Sequence, residues 1–461
     1  MRHVHFIGIG GYSMSGLAIL LHQQGIEVSG SDMNRSSRTE RLQRAGITVY
    51  YGHDRNHIGD ADVVVYTTDV PQDNAERAQA LQLNRTLWHR SELLAHILQP
   101  YRTILVGGTA GKTTTTTMIG QVLVEVGLDP TVLVGGEVPY FSGNVRLGRG
   151  SLAVAEADES DGSFLRYRAW VSLATNLEPE HLEHYQGRFD HLVDAFSEFL
   201  RRVPDDGLAI LGTDSKALAS LSPSLTAERV PLMTCGFDPS AGVQAKNIAV
   251  EVSGTRFEVW TNGSQVANVW LPVPGLHNVQ NALAAMTACH HAGVDWKDAA
   301  AVLARFENAA RRFQRVFEDS RVLVVDDYAH HPAKIMAALG AARQVTRGRV
   351  VALFQPQRYV RTKNLWEAFV QAFPLADEVY LTEIYSPAGE EPIAGVSGER
   401  LAEEIRQVHP GPVHFVADMR RLPEMILSGL GVGDTVITMG AGNVYQVAYA
   451  LRDALKAAKS G

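Results

Sequence analysis

TILVGGTAGKTTTTTMIG, residues 103–120, is the stretch on which the reading of this chain turns. A β-branched run, TILV, enters a glycine-rich turn at 107–111, and a segment of helical length follows. That order places backbone N–H groups and a helix N-terminus around a phosphate. Lys112 would neutralise the β- and γ-phosphates of a nucleotide, and Thr113 would offer its hydroxyl to a magnesium ion, as the Lys and Ser/Thr of G-x-x-x-x-G-K-[ST] do. Gly108, Thr109, Gly111 and Thr114 complete the cradle. Val106 stands where that pattern has its first glycine, so the match is partial. The five threonines at 113–117 are poor helix formers and gain nothing from propensity alone, which favours a phosphate loop over an ordinary glycine-rich turn.

Downstream, the run LAVAEAD ends in Glu156, Asp158, Glu159 and Asp161. Acids at the carboxyl end of a parallel strand sit where ligands bind in such sheets. Glu156 is the expected metal ligand, because Mg²⁺ takes few carboxylates and completes its shell with water and phosphate oxygens. By itself the segment reads as a solvated acidic loop, and the upstream phosphate loop decides against that. His181, in TNLEPEHLEHY, is a second candidate ligand, supported by Asn176 and the acids beside it.

Upstream, Gly8, Gly10 and Gly11 follow the run HVHFI, and Asp32 ends the next strand pattern, in partial likeness to a dinucleotide fingerprint. The spacing is not G-x-G-x-x-G, and a nicotinamide oxidoreductase would leave Lys112 without a role. The same turn and helix dipole suit the diphosphate of another nucleotide, such as a UDP-linked substrate. Near the other end, DDYAHHP at 326–332 and QRYVR at 357–361 each follow a strand pattern. Their arginines can clamp a carboxylate or a phosphoryl group in flight, while an Asp and a His can hold an ammonium or a ribose. Alone, either segment reads as ordinary solvent-facing polarity.

The chain has 461 residues, which at about 150 per domain predicts roughly three domains. Short β-branched runs alternate with helical patterns throughout, as parallel sheets covered by helices require. Pro100 breaks the first series, and IAVEV-SG-TRFEVW at 248–260 reads as a β-hairpin on the second domain. With 42 Lys and Arg against 50 Asp and Glu, the net charge of −8 holds no surplus for a nucleic-acid backbone. Two cysteines form neither a disulfide framework nor a thiolate zinc site. No run of about 18 apolar residues predicts a membrane span, and residues 6–21 read as a strand entering a turn rather than a signal peptide. A cytoplasmic protein is expected.

Taken in order, HFIGIGG…MSGLA, GT-x-GKTTTT, EADESDGSF, TN-x-EPEH, GLHNVQNALAA, F-x-x-x-x-RRF, DDYAHHP, FQP-x-RYVRT and GAGNV make the chain resemble the Mur ligases over nearly its whole length. The resemblance implies an α/β fold of three domains, each built on a mainly parallel sheet flanked by helices. These are a Rossmann-like UDP-sugar domain at 1–99, a P-loop ATPase domain at 100–312 and a Rossmann-like closing domain at 313–461. It implies ATP and Mg²⁺ as cofactors, with Lys112 on the ATP phosphates and Thr113, Glu156 and His181 on the metal. His277, Asn278 and Asn281 would contact ATP, Arg311 or Arg312 and Asp327 would complete the nucleotide site, and Tyr328, His330, Arg358 and Arg361 would face the amino acid and the reaction centre. Gly8, Gly10, Gly11, Asp32, Thr67 and Thr68 fall to the substrate diphosphate.

The implied reaction joins L-alanine to UDP-N-acetylmuramate through an acyl phosphate, with no nucleic-acid partner and no membrane insertion, by a monomer or weak homodimer. His181 and His330 are both candidates for the proton acceptor. This chain departs from the family at Ala110 and Gln357, where histidine is usual, at Tyr12-Ser13 and Ala329, and at Asp69 beside the threonine turn. Those departures leave open a different UDP-linked acceptor, amino acid or peptide, or an inactive nucleotide sensor. Replacement of Lys112 by alanine is expected to abolish turnover and to leave the fold intact.

Overall fold

The computed structural model describes residues 1–386 and 390–460. They form three sheets, each mainly parallel and flanked by helices. The first orders its strands Thr48–Tyr51, Glu27–Asp32, His3–Ile7, Val63–Tyr66, Thr86–His89, all pairs parallel. The order reverses between His3–Ile7 and Val63–Tyr66, so the loops after these two strands, at Gly8 and Thr67, open on the crevice where such sheets bind ligands.

The second sheet has ten strands, in the order Ser264–Leu271, Gly254–Thr261, Val243–Glu251, Leu232–Gly236, Leu208–Gly212, Val171–Ala174, Arg102–Gly107, Leu152–Glu156, Thr131–Val138 and Gly143–Arg146. Its centre is parallel and its Gly143–Arg146 edge antiparallel. The expected hairpin is present, with its connection at Val252 and Ser253 rather than at Ser253 and Gly254. Gly254 belongs to the strand because a Cβ there would lie 2.3 Å from the Leu271 carbonyl. The third sheet runs Gln314–Glu318, Val322–Asp327, Asp434–Met439, Val350–Phe354, Glu378–Leu381, Val413–Phe415, with only the first pair antiparallel. The alternating pattern missed that antiparallel edge strand, which is short and only partly buried.

By contact the chain divides into two compact units. One comprises Met1–Lys246, Glu258–Val269 and Gln280–Glu307, and the other Asn247–Phe257, Trp270–Val279 and Asn308–Gly461. Within the first, a core cluster runs from Val4, Phe6 and Leu20 to Phe164, Phe196 and Phe199. The amphipathic helix Phe189–Arg201 turns Leu192, Phe196, Phe199 and Leu200 inward, as apolar residues three and four apart must. Phe164 meets Phe196 and Phe199 with ring centroids 5.2 and 5.3 Å away. In the second unit, separate clusters cover the two faces of the sheet, one around Phe354 and Phe369, the other around Val436 and Leu451. Among the described residues no helix is long and apolar enough to cross a membrane.

Under the first sheet lies a buried carboxylate, Glu76, whose side chain is inaccessible. His5 Nε2 lies 3.2 Å and His57 Nδ1 3.1 Å from its oxygens, and Ser31 Oγ donates at 2.6 Å. Burial pushes this carboxyl up, and the hydrogen bonds from His5, Ser31 and His57 more than offset it, bringing the pKa to about 2. A folded-state pKa below the ordinary 4.5 means that the stabilisation, about 3 kcal/mol, is present above pH 4.5 and lost as pH falls toward 2. Thermal melts between pH 7 and pH 3 should show that loss in the native protein and a flatter dependence in Glu76→Gln.

Candidate active site

The loop after strand Arg102–Gly107 needs its glycines. Gly108 has φ +126° and Gly111 φ +87°, and a Cβ on Gly111 would fall 2.3 Å from Asn281 Oδ1. A Cβ on Gly107 would press on Phe196 and Phe199 at 3.2 and 3.4 Å. Helix Lys112–Glu125 begins on Gly111 with no side-chain cap, so its N-terminus opens directly on the loop. The loop is stitched to the end of Val171–Ala174. Ala110 N donates to Asn176 Oδ1 at 2.8 Å, Asn176 Nδ2 donates to Ala110 O at 2.9 Å, and Thr175 Oγ1 donates to Ala110 O at 2.6 Å. Asn176, read from sequence as support for a metal-binding His181, is in the structure a brace of the phosphate loop.

All five threonines of 113–117 are buried. Their place is the inside of the molecule, which explains a run that helix propensity does not. Lys112 Nζ donates to Gly108 O at 2.6 Å and to Glu159 Oε1 and Oε2 at 2.9 and 2.7 Å. The lysine side chain is 16% exposed and the glutamate 1%. Burial alone would lower the lysine pKa, but Glu159, Asp158 and Glu156 together raise it, so an ammonium sits in the loop. Lys112 is therefore half of a buried ion pair as well as a loop charge, and the expectation that its loss leaves the fold intact is revised accordingly.

Thr113, Glu156 and His181 follow the carboxyl ends of three adjacent parallel strands, Arg102–Gly107, Leu152–Glu156 and Val171–Ala174. Glu156 Oε1 accepts from Gly135 N at 2.6 Å, and a Cβ at Gly135 would lie 2.7 Å from Glu156 Oε2 and push the carboxylate aside. Desolvation pushes the pKa of the half-buried Asp158 up, but the Lys112 charge and the Ser160 amide hold it below the usual carboxylate value. His181 adopts φ +57° with Glu180 and Glu183 oxygens 3.7 and 3.8 Å away. Among the described residues no group of three or more His, Cys, Asp or Glu side chains is set to hold a metal ion.

At the first turn Gly8 takes φ +80°, and Gly10 packs where a Cβ would lie 2.7 Å from Asp32 Oδ2. Asp32 accepts from Gly10 N at 2.9 Å and from Asn34 N at 3.1 Å, so it shapes the turn. Arg38 Nε donates to Gly10 O at 2.6 Å, and its guanidinium lies over the Tyr12 ring. Thr68 Oγ1 lies 3.2 Å from His89 Nε2. A cavity of about 90 Å³ joins this turn to the central strands, with Ser13, Arg90, Asn144, Gly135, Glu156 and Asp158 in its wall. The sequence singled out Ser13, Glu156 and Asp158 but not the rest; Arg90 and Asn144 carry no motif and are found only by the fold.

In the second unit the loops after Val322–Asp327, Val350–Phe354 and Asp434–Met439 share one edge of the sheet. Arg311 Nε meets Asp326 Oδ2 at 2.8 Å, and its two terminal nitrogens donate to Gly442 O and Gly440 O at 2.9 and 2.5 Å. That leaves Arg312 as the nucleotide candidate of the pair, with its guanidinium 5.3 Å from the Tyr328 ring. Asp327 accepts from Phe313 N and Ala329 N, each at 2.8 Å, while burial pushes its pKa up. His330 Nδ1 lies 2.8 Å from Tyr328 O, and Arg361 donates to Gln357 Oε1. Arg358 caps helix Tyr359–Asn364 with φ +67°. His277, Asn278 and Asn281 lie on helix Leu276–His291. Desolvation pulls His277 down to about 4, so it is neutral at pH 7, and Asn278 Nδ2 donates to Pro274 O at 2.6 Å.

Three family models match the chain: the Mur ligase family catalytic domain over residues 3–102, the Mur ligase middle domain over 106–289, and the Mur ligase glutamate ligase domain over 311–442. A UDP-N-acetylmuramate–L-alanine ligase of Symbiobacterium thermophilum is 47% identical over 458 residues, covering 99% of this chain and 95% of that one. The crystal structure of UDP-N-acetylmuramate-alanine ligase from Thermotoga maritima superposes with a TM-score of 0.84 at 27% identity, covering 99% of both chains. A murein peptide ligase of Psychrobacter arcticus gives 0.70 at 27% identity, also over 99% of both.

Proposed function

The chain belongs to the Mur ligase family, and from that premise we propose that it joins L-alanine to the lactyl carboxylate of UDP-N-acetylmuramate in a reaction driven by ATP. The observation that carries this reading is the Lys112 ammonium held in a phosphate loop, one strand away from the Glu156 carboxylate. The relatives at 40–47% identity that bear the name of this activity support it. Its domains are 1–99 for the UDP-sugar, 100–312 for ATP and 313–461 for the amino acid and closure, and its setting is the cytoplasm.

In the first step a lactyl carboxylate oxygen attacks the γ-phosphorus of ATP, the bond to the β,γ-bridging oxygen breaks, and ADP leaves behind an acyl phosphate. In the second the neutral amine of alanine attacks the acyl carbon, phosphate departs with the C–O electron pair, and the nitrogen gives up a proton. Lys112 and the N-terminus of its helix lower the cost of bringing one anion to another, and the remaining catalysis is positioning. The Thr113 hydroxyl and the Glu156 carboxylate, with His181, would hold Mg²⁺, the first two as the oxygen donors that it prefers. A bound magnesium ion would shield phosphate charge. Arg312 and Asp327 serve the nucleotide, and Arg358 and Arg361 the carboxylate of the amino acid. His330, whose Nδ1 lies 2.8 Å from Tyr328 O, and His181 are the two candidates for the acceptor of the ammonium proton.

The test is mass spectrometry of the product formed from ATP, UDP-N-acetylmuramate and a mixture of amino acids and murein peptides. The alanyl amide is expected, with phosphate release that requires both substrates. A peptide adduct instead would move the chain toward the murein peptide ligases, and nucleotide binding without stimulation by either substrate would defeat the ligase reading.

A further inference from the structure

The Lys112 ammonium is held by two groups, a backbone carbonyl and a carboxylate. It donates to Gly108 O at 2.6 Å and to the oxygens of a single carboxylate, Glu159, at 2.9 and 2.7 Å. A phosphate oxygen that reaches that ammonium must share it with the carboxylate, whose charge opposes the phosphate's. The carboxylate cannot drift far, because its own backbone is pinned. Tyr185 OH donates to Glu159 O at 2.6 Å, and Gly162 N donates to the same oxygen at 3.1 Å. Asp158 does not share the lysine directly; its Oδ1 accepts from Ser160 N at 3.1 Å. A second anion 1% exposed beside the seat of a triphosphate opposes the ligand and at the same time keeps a buried ammonium charged and in place when no ligand is there.

We propose that Glu159 is a positioning residue that stands in for the phosphate: it holds Lys112 in the empty loop and competes for it with the incoming nucleotide. The inference rests on the ATP reading above. Glu159 thus weakens nucleotide affinity and stabilises the nucleotide-free protein, and the two effects have one cause, its charge.

The experiment compares the whole protein with Glu159→Gln, Glu159→Ala and Glu159→Asp, using the β,γ-imido analogue of ATP as probe, by calorimetric titration and by thermal melts with and without the analogue. Both neutral variants are expected to bind the analogue about tenfold more tightly, and Glu159→Asp to stay within about twofold of the native protein. The neutral variants should melt lower than the native protein without the analogue, and saturation should close most of that gap. A residue serving only the fold would lower both melts equally and leave affinity unmoved, and that result overturns the proposal, as does weaker binding in the neutral variants. If the native protein itself fails to bind the analogue, it is the ATP reading that falls, and this one with it.

Discussion

Lys112→Ala is expected to lower turnover by about a thousandfold or more and, in the nucleotide-free protein, to lower the unfolding free energy by about 3–5 kcal/mol. The first effect follows from removing the charge that the proposed reaction sets against the γ-phosphate. The second follows from the neighbour left behind. Glu159 is 1% exposed, and without the ammonium it must either stay ionised with no partner or take up a proton. Steady-state phosphate release measures the first and chemical denaturation the second. Lys112→Ala combined with Glu159→Gln separates them, because the double variant should recover much of the stability and none of the turnover. Turnover within a few-fold of native in either variant would remove Lys112 from the proposed reaction.

Arg311→Ala is expected to unfold the second unit more readily by about 3–5 kcal/mol. The guanidinium joins the fully buried Asp326 to the carbonyls of Gly440 and Gly442, so its loss strands one carboxylate and two acceptors. Burial already pushes the Asp326 carboxyl up against the pull of Arg311, and only the Thr438 hydroxyl, at 2.6 Å, would remain beside it. A carboxyl whose folded pKa is raised favours the folded state as pH falls. The variant should therefore lose most at pH 7 and regain part of the difference near pH 5. Melts at the two pH values check both the size and the sign, and an equal loss at each would show that the carboxylate is not what is stranded.

Legibility in the sequence followed the reach of the interactions. The strand, glycine turn and helix around Lys112 were readable because they lie within 18 consecutive residues, and the parallel strands because β-branched runs are local. The partner of Lys112 was not. Glu156, Asp158, Glu159 and Asp161 are chemically alike in a string, and which one turns inward is decided by Gly162 at φ +69° and by Tyr185, more than twenty residues on from the acids. Arg311 and Arg312 are identical neighbours, and φ +61° at Arg311 sends the two to different duties. Asn176 looked like an attendant of a ligand because it stands five residues from His181, yet its amide closes on a loop 66 residues earlier. The cavity wall at Arg90 and Asn144 depends on tertiary packing, which leaves no pattern along the chain.

Helix Lys112–Glu125 is buried without interruption from Thr113 to Leu123, with no solvent-facing stripe over three turns. A helix sheathed in this way cannot slide, fray or roll, so the loop at its head is preorganised before any ligand arrives. The entropy of ordering that a floppy loop would surrender on association was surrendered at folding instead. Nucleotide should then bind to backbone that scarcely moves, and amide exchange across this helix should be as slow in the empty protein as in the loaded one.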